Sequence, residues 1–190
     1  MEGPVYYKTP HRFCDERGFF QELFNGPRIR HHLRVNRIPQ KQPPNIPEAM
    51  AQVNHSRSKK GVLRGMHWQK PNPVGKYVTC LHGHILDIVV DIRRSSPTFK
   101  EWKGFEIDAE EGQALWVPEG FAHGFLVTSS MADVIYVQSK AFNQESDRTL
   151  RWDDADVAIA WPEMPGGYTI SEKDKNAPLL SELSGEALFD

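Results

Sequence analysis

The chain has 190 residues, 23 Lys and Arg against 25 Asp and Glu, a formal net charge of −2 and two cysteines. That length suits one domain, 1–190, with a closed core. The near-balanced charge excludes the basic footprint of a nucleic-acid binder or a membrane-surface protein and favours small-molecule partners. Cys14 and Cys80 lack CxxC spacing, the opening MEGPVYYKTP has no apolar signal region, and no window has the apolar length to span a bilayer. These features together predict a cytoplasmic protein with free thiols.

In chain order, strands are predicted at PVYY and GFFQELF, followed by a short helix at PRIRHHLRV near residue 30. RIPQKQPPNIPEAM, with four prolines, reads as an extended surface loop. Further strands follow at GVLRGMHW, KYVTCL, ILDIVVDI, WKGFEI, QALWVP, GFLV and DVIYVQ. Glycines in NPVGK and LHGHIL mark a turn and a hairpin, SSPTFKEW a longer connection, and SEKDKNAPLLSEL a second short helical stretch. In ILDIVVDI, Leu86, Ile88, Val90 and Ile92 alternate with Asp87 and Asp91, the pattern of a half-buried strand. Many short strands without crossover helices predict an antiparallel barrel or jelly roll.

Residues 112–123, GQALWVPEGFAH, follow G-x5-P-x-G-x2-H and resemble the second motif of cupins, the double-stranded β-helix barrels. Residues 61–69 resemble the first, G-x5-H-x-H, except that Gln69 stands where the second histidine would be. Side chains two apart on a strand share a face, so His-x-His would offer a metal two imidazoles, whereas His67-x-Gln69 offers one and a weak amide. His67 and His123 leave a divalent ion short of ligands, and no metal is expected in this pocket. His82 and His84 flank a glycine at a predicted hairpin tip and read as surface histidines. His67 is then a packed core histidine or an acid/base group. Arg64, Lys76 and His123 would converge with it on a barrel mouth, and that much cationic character points to an anionic ligand such as a phosphate ester. Arg64 and Lys76 as solvated rim charges are the alternative.

DERGFFQELF, QVNHSRSKKGVLRGMHWQKP, GK-V at 75–78, VVDIRRSSPTF, WVPEGFAHGF, the tyrosine of DVIYV and SEKDKNAPLL run in one register from Asp15 to Leu180. Together they resemble the dTDP-4-dehydrorhamnose 3,5-epimerases. The resemblance implies an all-β, cupin-type double-stranded β-helix (jelly-roll) barrel with a few short helices, acting without cofactor or metal. It further implies a homodimer with strands exchanged across the interface and a dTDP-4-keto-6-deoxyhexose substrate inverted at C3 and C5.

By position, His67 resembles the base that removes a proton beside the ketone, and Asp174 the carboxylate that orients it. Lys76 resembles the cation near the C4 oxygen, and Tyr136 the acid that returns a proton from the other face. Gln52, Asn54, Arg64 and His123 resemble residues holding the nucleotide and its pyrophosphate. Arg17, Phe20 and Glu22 resemble the set that completes the nucleotide site, often from the neighbouring subunit. The family commonly carries a second tyrosine six residues after the catalytic one, where this chain has Phe142. That departure keeps open an enzyme inverting C3 alone. A metal-dependent cupin, a 3,4-ketoisomerase and a non-catalytic sugar-nucleotide binder are further alternatives.

Overall fold

The computed structural model describes residues 3–8, 12–35 and 50–190. Its strands are β1 (Val5–Lys8), β2 (Phe13–Asp15), β3 (Gly18–Phe20), β4 (Gln52–Lys59), β5 (Leu63–Gln69), β6 (Lys76–His82), β7 (His84–Asp91), β8 (Trp102–Asp108), β9 (Gln113–Val117), β10 (Phe121–Val127), β11 (Met131–Gln138) and β12 (Asp147–Thr149). Helix α1 (Gly26–Val35) follows β3, and the single turn α2 (Glu172–Lys175) lies near the C-terminus. Two five-stranded sheets carry the architecture, in the orders β1-β9-β6-β11-β4 and β12-β5-β10-β7-β8, with β2–β3 as a separate hairpin. Every ladder between these strands is antiparallel. The fold is a cupin jelly roll.

Alternation along each strand sorts side chains into three apolar layers. Between the sheets lie Val78, Cys80, Ile85, Val89, Leu115, Phe125 and Val134. Behind the first sheet, Tyr77, Trp116 and Val137 pack with Val5 and with Ile29 of α1. Behind the second, Met66, Trp68, Ile88, Val90 and Ile92 are covered by Leu150, Leu180, Ala187 and Leu188. The C-terminal segment is tied there by Trp68 Nε1 donating to the Ala187 carbonyl at 2.8 Å and Arg94 N donating to the Phe189 carbonyl at 2.7 Å.

With the C-terminal segment over one face of β7 and the first sheet over the other, the half-buried reading of ILDIVVDI is corrected. Leu86, Ile88, Val90 and Ile92 do share a face, but Asp87 and Asp91 on the other are also buried, at 0% and 2% exposure. Buried carboxylates need partners. Asp91 accepts from Arg93, Ser96 and Thr98, and Asp87 from His123.

Strand β4 was absent from the predicted elements, as were β2 and β12. Its inner-face residues Gln52, Asn54, Ser56 and Ser58 are polar, so neither β-branched enrichment nor hydrophobic alternation marks it; pairing with β11 from Gln52↔Gln138 to Lys59↔Met131 makes it a strand. The helix near residue 30 is present as α1, whereas SEKDKNAPLLSEL forms only α2 and a 3-10 turn at Leu180–Glu182. The proline-rich loop predicted at 37–50 lies, apart from Met50, outside the described residues. Gly83, at φ 74°, turns β6 into β7, with His82 and His84 exposed on either side as expected of a hairpin tip.

Candidate active site

The sheets enclose a cavity of about 710 Å³. Strand β5 carries His67 and Gln69 into it from the second sheet; β6 and β11 bring Lys76, Tyr136 and Gln138 from the first. The two sheets thus place an imidazole and a phenol in opposite walls of one space. Beside His67, β5 and β10 approach unusually closely. A Cβ on Gly65 would stand 2.6 Å from the Gly124 Cα, and one on Gly124 would stand 2.6 Å from the Arg64 carbonyl oxygen. Glycine at both positions permits the register shift between His123 and Phe125 and leaves His67 opposite His123.

His67 Nε2 lies 3.0 Å from Asp174 Oδ1. Asp174 is buried on α2, where the Ser171 hydroxyl accepts the Asp174 amide at 3.1 Å as the helix N-cap. Its Oδ2 accepts the Gly65 amide at 3.3 Å, which fixes the carboxylate to the strand that carries the histidine. Burial alone would raise this carboxyl, but His67, the Gly65 amide and Ser171 outweigh it and hold Asp174 below the usual range. A second carboxylate, Asp147 on β12, lies 4.0 Å from His67 Nδ1 and is paired with Lys173.

Lys76 Nζ donates to the His67 carbonyl at 3.2 Å. Burial pushes its ammonium down to about 8, against the opposing pull of Asp147 and Asp87. Tyr136 is pushed above its ordinary value by burial, so the phenol keeps its proton near neutral pH; its hydroxyl lies 3.4 Å from Ser56 Oγ. This chemistry offers a base, an acid on the opposing sheet and a cation beside the base.

Arg64 lines the mouth, its guanidinium donating to Ser58 Oγ at 3.1 and 3.2 Å. Asn54 also lines the cavity. Gln52 Nε2 donates to Asn54 Oδ1 at 2.8 Å, and Gln52 Oε1 accepts the Phe142 amide at 2.8 Å. His123 is on the wall, but its Nε2 is engaged 2.9 Å from Asp87 Oδ2 and the residue is only 4% exposed. Burial lowers His123 and raises Asp87, each partly offset by the other. Both ends of the Gln69 amide are committed: Oε1 accepts the Asn143 amide at 2.7 Å, and Nε2 donates to the Asn72 carbonyl at 3.3 Å. Among the described residues, no group of three or more His, Cys, Asp or Glu could hold a metal ion.

Four expected site residues do not line this cavity: Gln52, which reaches it only through its contacts with Asn54 and Phe142, and three on or after the β2–β3 hairpin. Arg17 and Phe20 are on the exposed β2–β3 hairpin, Arg17 paired with Asp15 at 2.5 Å and Phe20 69% exposed. Glu22 follows it and contacts Arg28 at 2.9 Å. Conversely, Asp147, Lys173 and Gln138 line the cavity without having been expected there. Asp147 sits in a segment without periodicity and Lys173 in the predicted short helical stretch, and only packing of β12 and α2 onto β5 brings them in. For Gln138 the signal was present: it lies two residues beyond Tyr136 and so shares its face.

A cupin jelly roll whose cavity holds an imidazole–carboxylate pair, an ammonium and a phenol belongs to the class of proton-transferring isomerases. The family model for dTDP-4-dehydrorhamnose 3,5-epimerase matches residues 3–182. The enzyme of that name from Escherichia coli strain K12 is 41% identical over 180 residues, spanning 94% of this chain and 91% of its own. The crystal structure of dTDP-6-deoxy-D-glucose-3,5-epimerase from Legionella pneumophila, in complex with dTDP-4-keto-L-rhamnose, superposes with a TM-score of 0.84 at 37% identity, covering 98% of this chain and 97% of that one. A 3′-monoepimerase from Streptomyces bikiniensis, in complex with dTDP-quinovose, gives 0.79 at 32% identity, covering 95% and 85%. The chain belongs to the dTDP-4-dehydrorhamnose 3,5-epimerase family.

Proposed function

We propose that this chain, as a single epimerase domain over 1–190, inverts C3 and C5 of a dTDP-4-keto-6-deoxyhexose in deoxysugar biosynthesis of the dTDP-L-rhamnose type. The observation that carries the reading is the placing of His67 and Tyr136 on opposing sheets across one cavity, with Lys76 beside them. A hydrogen next to a ketone is acidic because the electrons it leaves behind pass to the carbonyl oxygen as an enolate. His67 takes that proton, Asp174 stabilises the imidazolium, and Lys76 meets the charge on the C4 oxygen. Tyr136 then delivers a proton from the other face, which inverts the centre; His67 releases the abstracted proton to solvent and Tyr136 recovers one from it, which restores both groups. No oxidant or reductant enters the balance, and we assign no cofactor and no metal to the reaction.

Arg64 at the mouth suits the pyrophosphate, since a guanidinium grips phosphate through paired hydrogen bonds. Gln52 and Asn54 are assigned to the nucleotide end with it. His123 is assigned to the same group, reached through its exposed edge because Nε2 is taken by Asp87. Arg17, Phe20 and Glu22 are assigned to the nucleotide site of a second copy. The hairpin bearing the first two exposes Phe13, Phe19 and Phe20 at 64%, 59% and 69%, an apolar surface suited to a homodimer with this segment exchanged. No helix among the described residues is long and apolar enough to cross a membrane, and we assign the enzyme to the cytoplasm.

A second reading, inversion of C3 alone, is favoured by Phe142, which lines the cavity 50% exposed and offers no hydroxyl, and by the likeness to the Streptomyces bikiniensis 3′-monoepimerase. NMR of dTDP-4-keto-6-deoxyglucose incubated with the enzyme in deuterium oxide separates the two. Label at C3 and C5 supports double epimerisation, and label at C3 alone selects the second reading. No label at either position overturns both.

A further inference from the structure

Side chains directly opposite each other in antiparallel strands share a face, so the first sheet presents Gln52, Gln138 and Lys76 abreast on its inner side. The next row inward is Asn54, Tyr136 and Val78. Gln138 therefore lies between the residues assigned to the nucleotide and the cation assigned to the C4 oxygen.

Among the described residues, five buried side-chain polar atoms lack a hydrogen-bond partner: Glu22 Oε1, Asp87 Oδ1, Trp116 Nε1, Gln138 Oε1 and Asp174 Oδ1. Glu22 and Asp174 have an ion partner at that atom, Arg28 at 2.9 Å and His67 at 3.0 Å, and the other oxygen of Asp87 is met by His123. Trp116 lies in the apolar layer beneath α1. Gln138 is different: it is 9% exposed, lines the cavity, and has no ion partner at its unmatched oxygen. A buried acceptor left unmatched destabilises the empty protein, and an apolar side chain of the same size would not. A carboxamide at this point makes sense when something that enters the cavity bonds to it.

We propose that Gln138 is a specificity-determining residue that hydrogen-bonds the sugar-ring hydroxyl next to the ketone, the one on C3. A carboxamide carries a donor and an acceptor, and rotation about its last torsion presents either, which matches a hydroxyl that also does both. It is neutral, and so is a poor match for the pyrophosphate, for which Arg64 is placed. Its neighbour across the ladder is Lys76, so a ring held with its C4 oxygen at the ammonium brings the adjacent hydroxyl to Gln138. Fixing that hydroxyl sets which carbon faces His67. This inference rests on the epimerase reading and deepens it.

The test uses Gln138→Leu and, with an unbranched chain of equal length, Gln138→Met. Each is compared with the unaltered enzyme for KM toward dTDP-4-keto-6-deoxyglucose, affinity for dTDP, deuterium label at C3 and C5, and melting temperature. Loss of one hydroxyl contact raises KM roughly tenfold and shifts the C3-to-C5 label ratio severalfold. Affinity for dTDP, which lacks the sugar, stays within about twofold, and the melting temperature is unchanged or higher because an unmatched acceptor is gone. A folded variant of either kind with the original KM and label ratio overturns the inference while leaving the epimerase reading intact, and so does a lower melting temperature with no other change. Absence of label with the unaltered enzyme overturns the epimerase reading and this inference with it.

Discussion

His67 and Asp174 are linked through both carboxylate oxygens: Oδ1 faces the imidazole at 3.0 Å, while Oδ2 accepts the amide of Gly65, two residues earlier on the same strand. The carboxylate is thereby registered to the imidazole through the backbone of the strand that carries it. Asp174→Asn preserves shape and removes the charge that stabilises imidazolium. Exchange of substrate hydrogens should fall by about 10² to 10⁴, the usual range for an acid/base contribution, with KM little changed. His67→Ala should fall at least as far. Steady-state kinetics with solvent-exchange NMR checks both, and undiminished exchange in His67→Ala would remove it as the base.

The lowered Lys76 predicts two pH effects of opposite sign. If the ammonium meets the enolate, kcat/KM of the free enzyme declines as pH rises through about 8, where Lys76 loses its proton. Stability moves the other way. Between about 8 and the ordinary 10.5 the unfolded chain holds a proton that the folded chain does not, so this group's contribution to stability increases with pH across that window. Lys76→Arg, protonated throughout, should lose the alkaline limb whatever activity it retains. A pH–rate profile identical in the variant and the parent would assign the limb to another group.

The exposed hairpin predicts an assembly. Sedimentation should give twice the chain mass of 21.7 kDa. Phe20→Ser should weaken affinity for dTDP by roughly tenfold, as expected for an aromatic face lost from a base, with the rate at saturation little altered. A monomer of full activity would remove the hairpin from the nucleotide site.

The commitments of Gln69 make a chelator test informative. Its amide is satisfied by Asn143 and Asn72, so turning it toward an ion would break both contacts. Prolonged treatment with a chelator should leave exchange at C3 and C5 unaltered. Loss of activity restored by added iron, manganese or zinc would favour the metal-dependent reading.

The barrel was legible where strands are apolar on at least one face, as in ILDIVVDI and KYVTCL, and hidden where they are not. Strand β4 turns amides and serines inward, Asn54 to the cavity and Ser56 and Ser58 to Tyr136 and Arg64 beside it, and the same polarity conceals it from any search for hydrophobic period. Which distant residues meet at the cavity was legible through the alignment of blocks rather than through local pattern. Asp174 is a case in point: by itself it reads as a charge on a short surface helix, and its burial follows from α2 docking on β5, a contact between residues 109 apart in the chain. Asp87 could be read as one face of an alternating strand, but its burial depends on that face being the one turned between the sheets, where His123 on the neighbouring strand meets it. Phe142, notable in the sequence as a missing hydroxyl, has its backbone amide tied to Gln52, which sets its ring at the cavity.

The two-sided arrangement of base and acid is tested most directly by Tyr136→Phe. With the phenol gone and His67 intact, abstraction continues and the proton returns only from the side of the imidazole. Incubated with substrate in deuterium oxide, this variant is predicted to incorporate label while retaining the original configuration, with inverted product reduced by about 10² or more. Inverted product at the parental rate would contradict a proton donor at position 136, and with it the opposed placement on which the account rests.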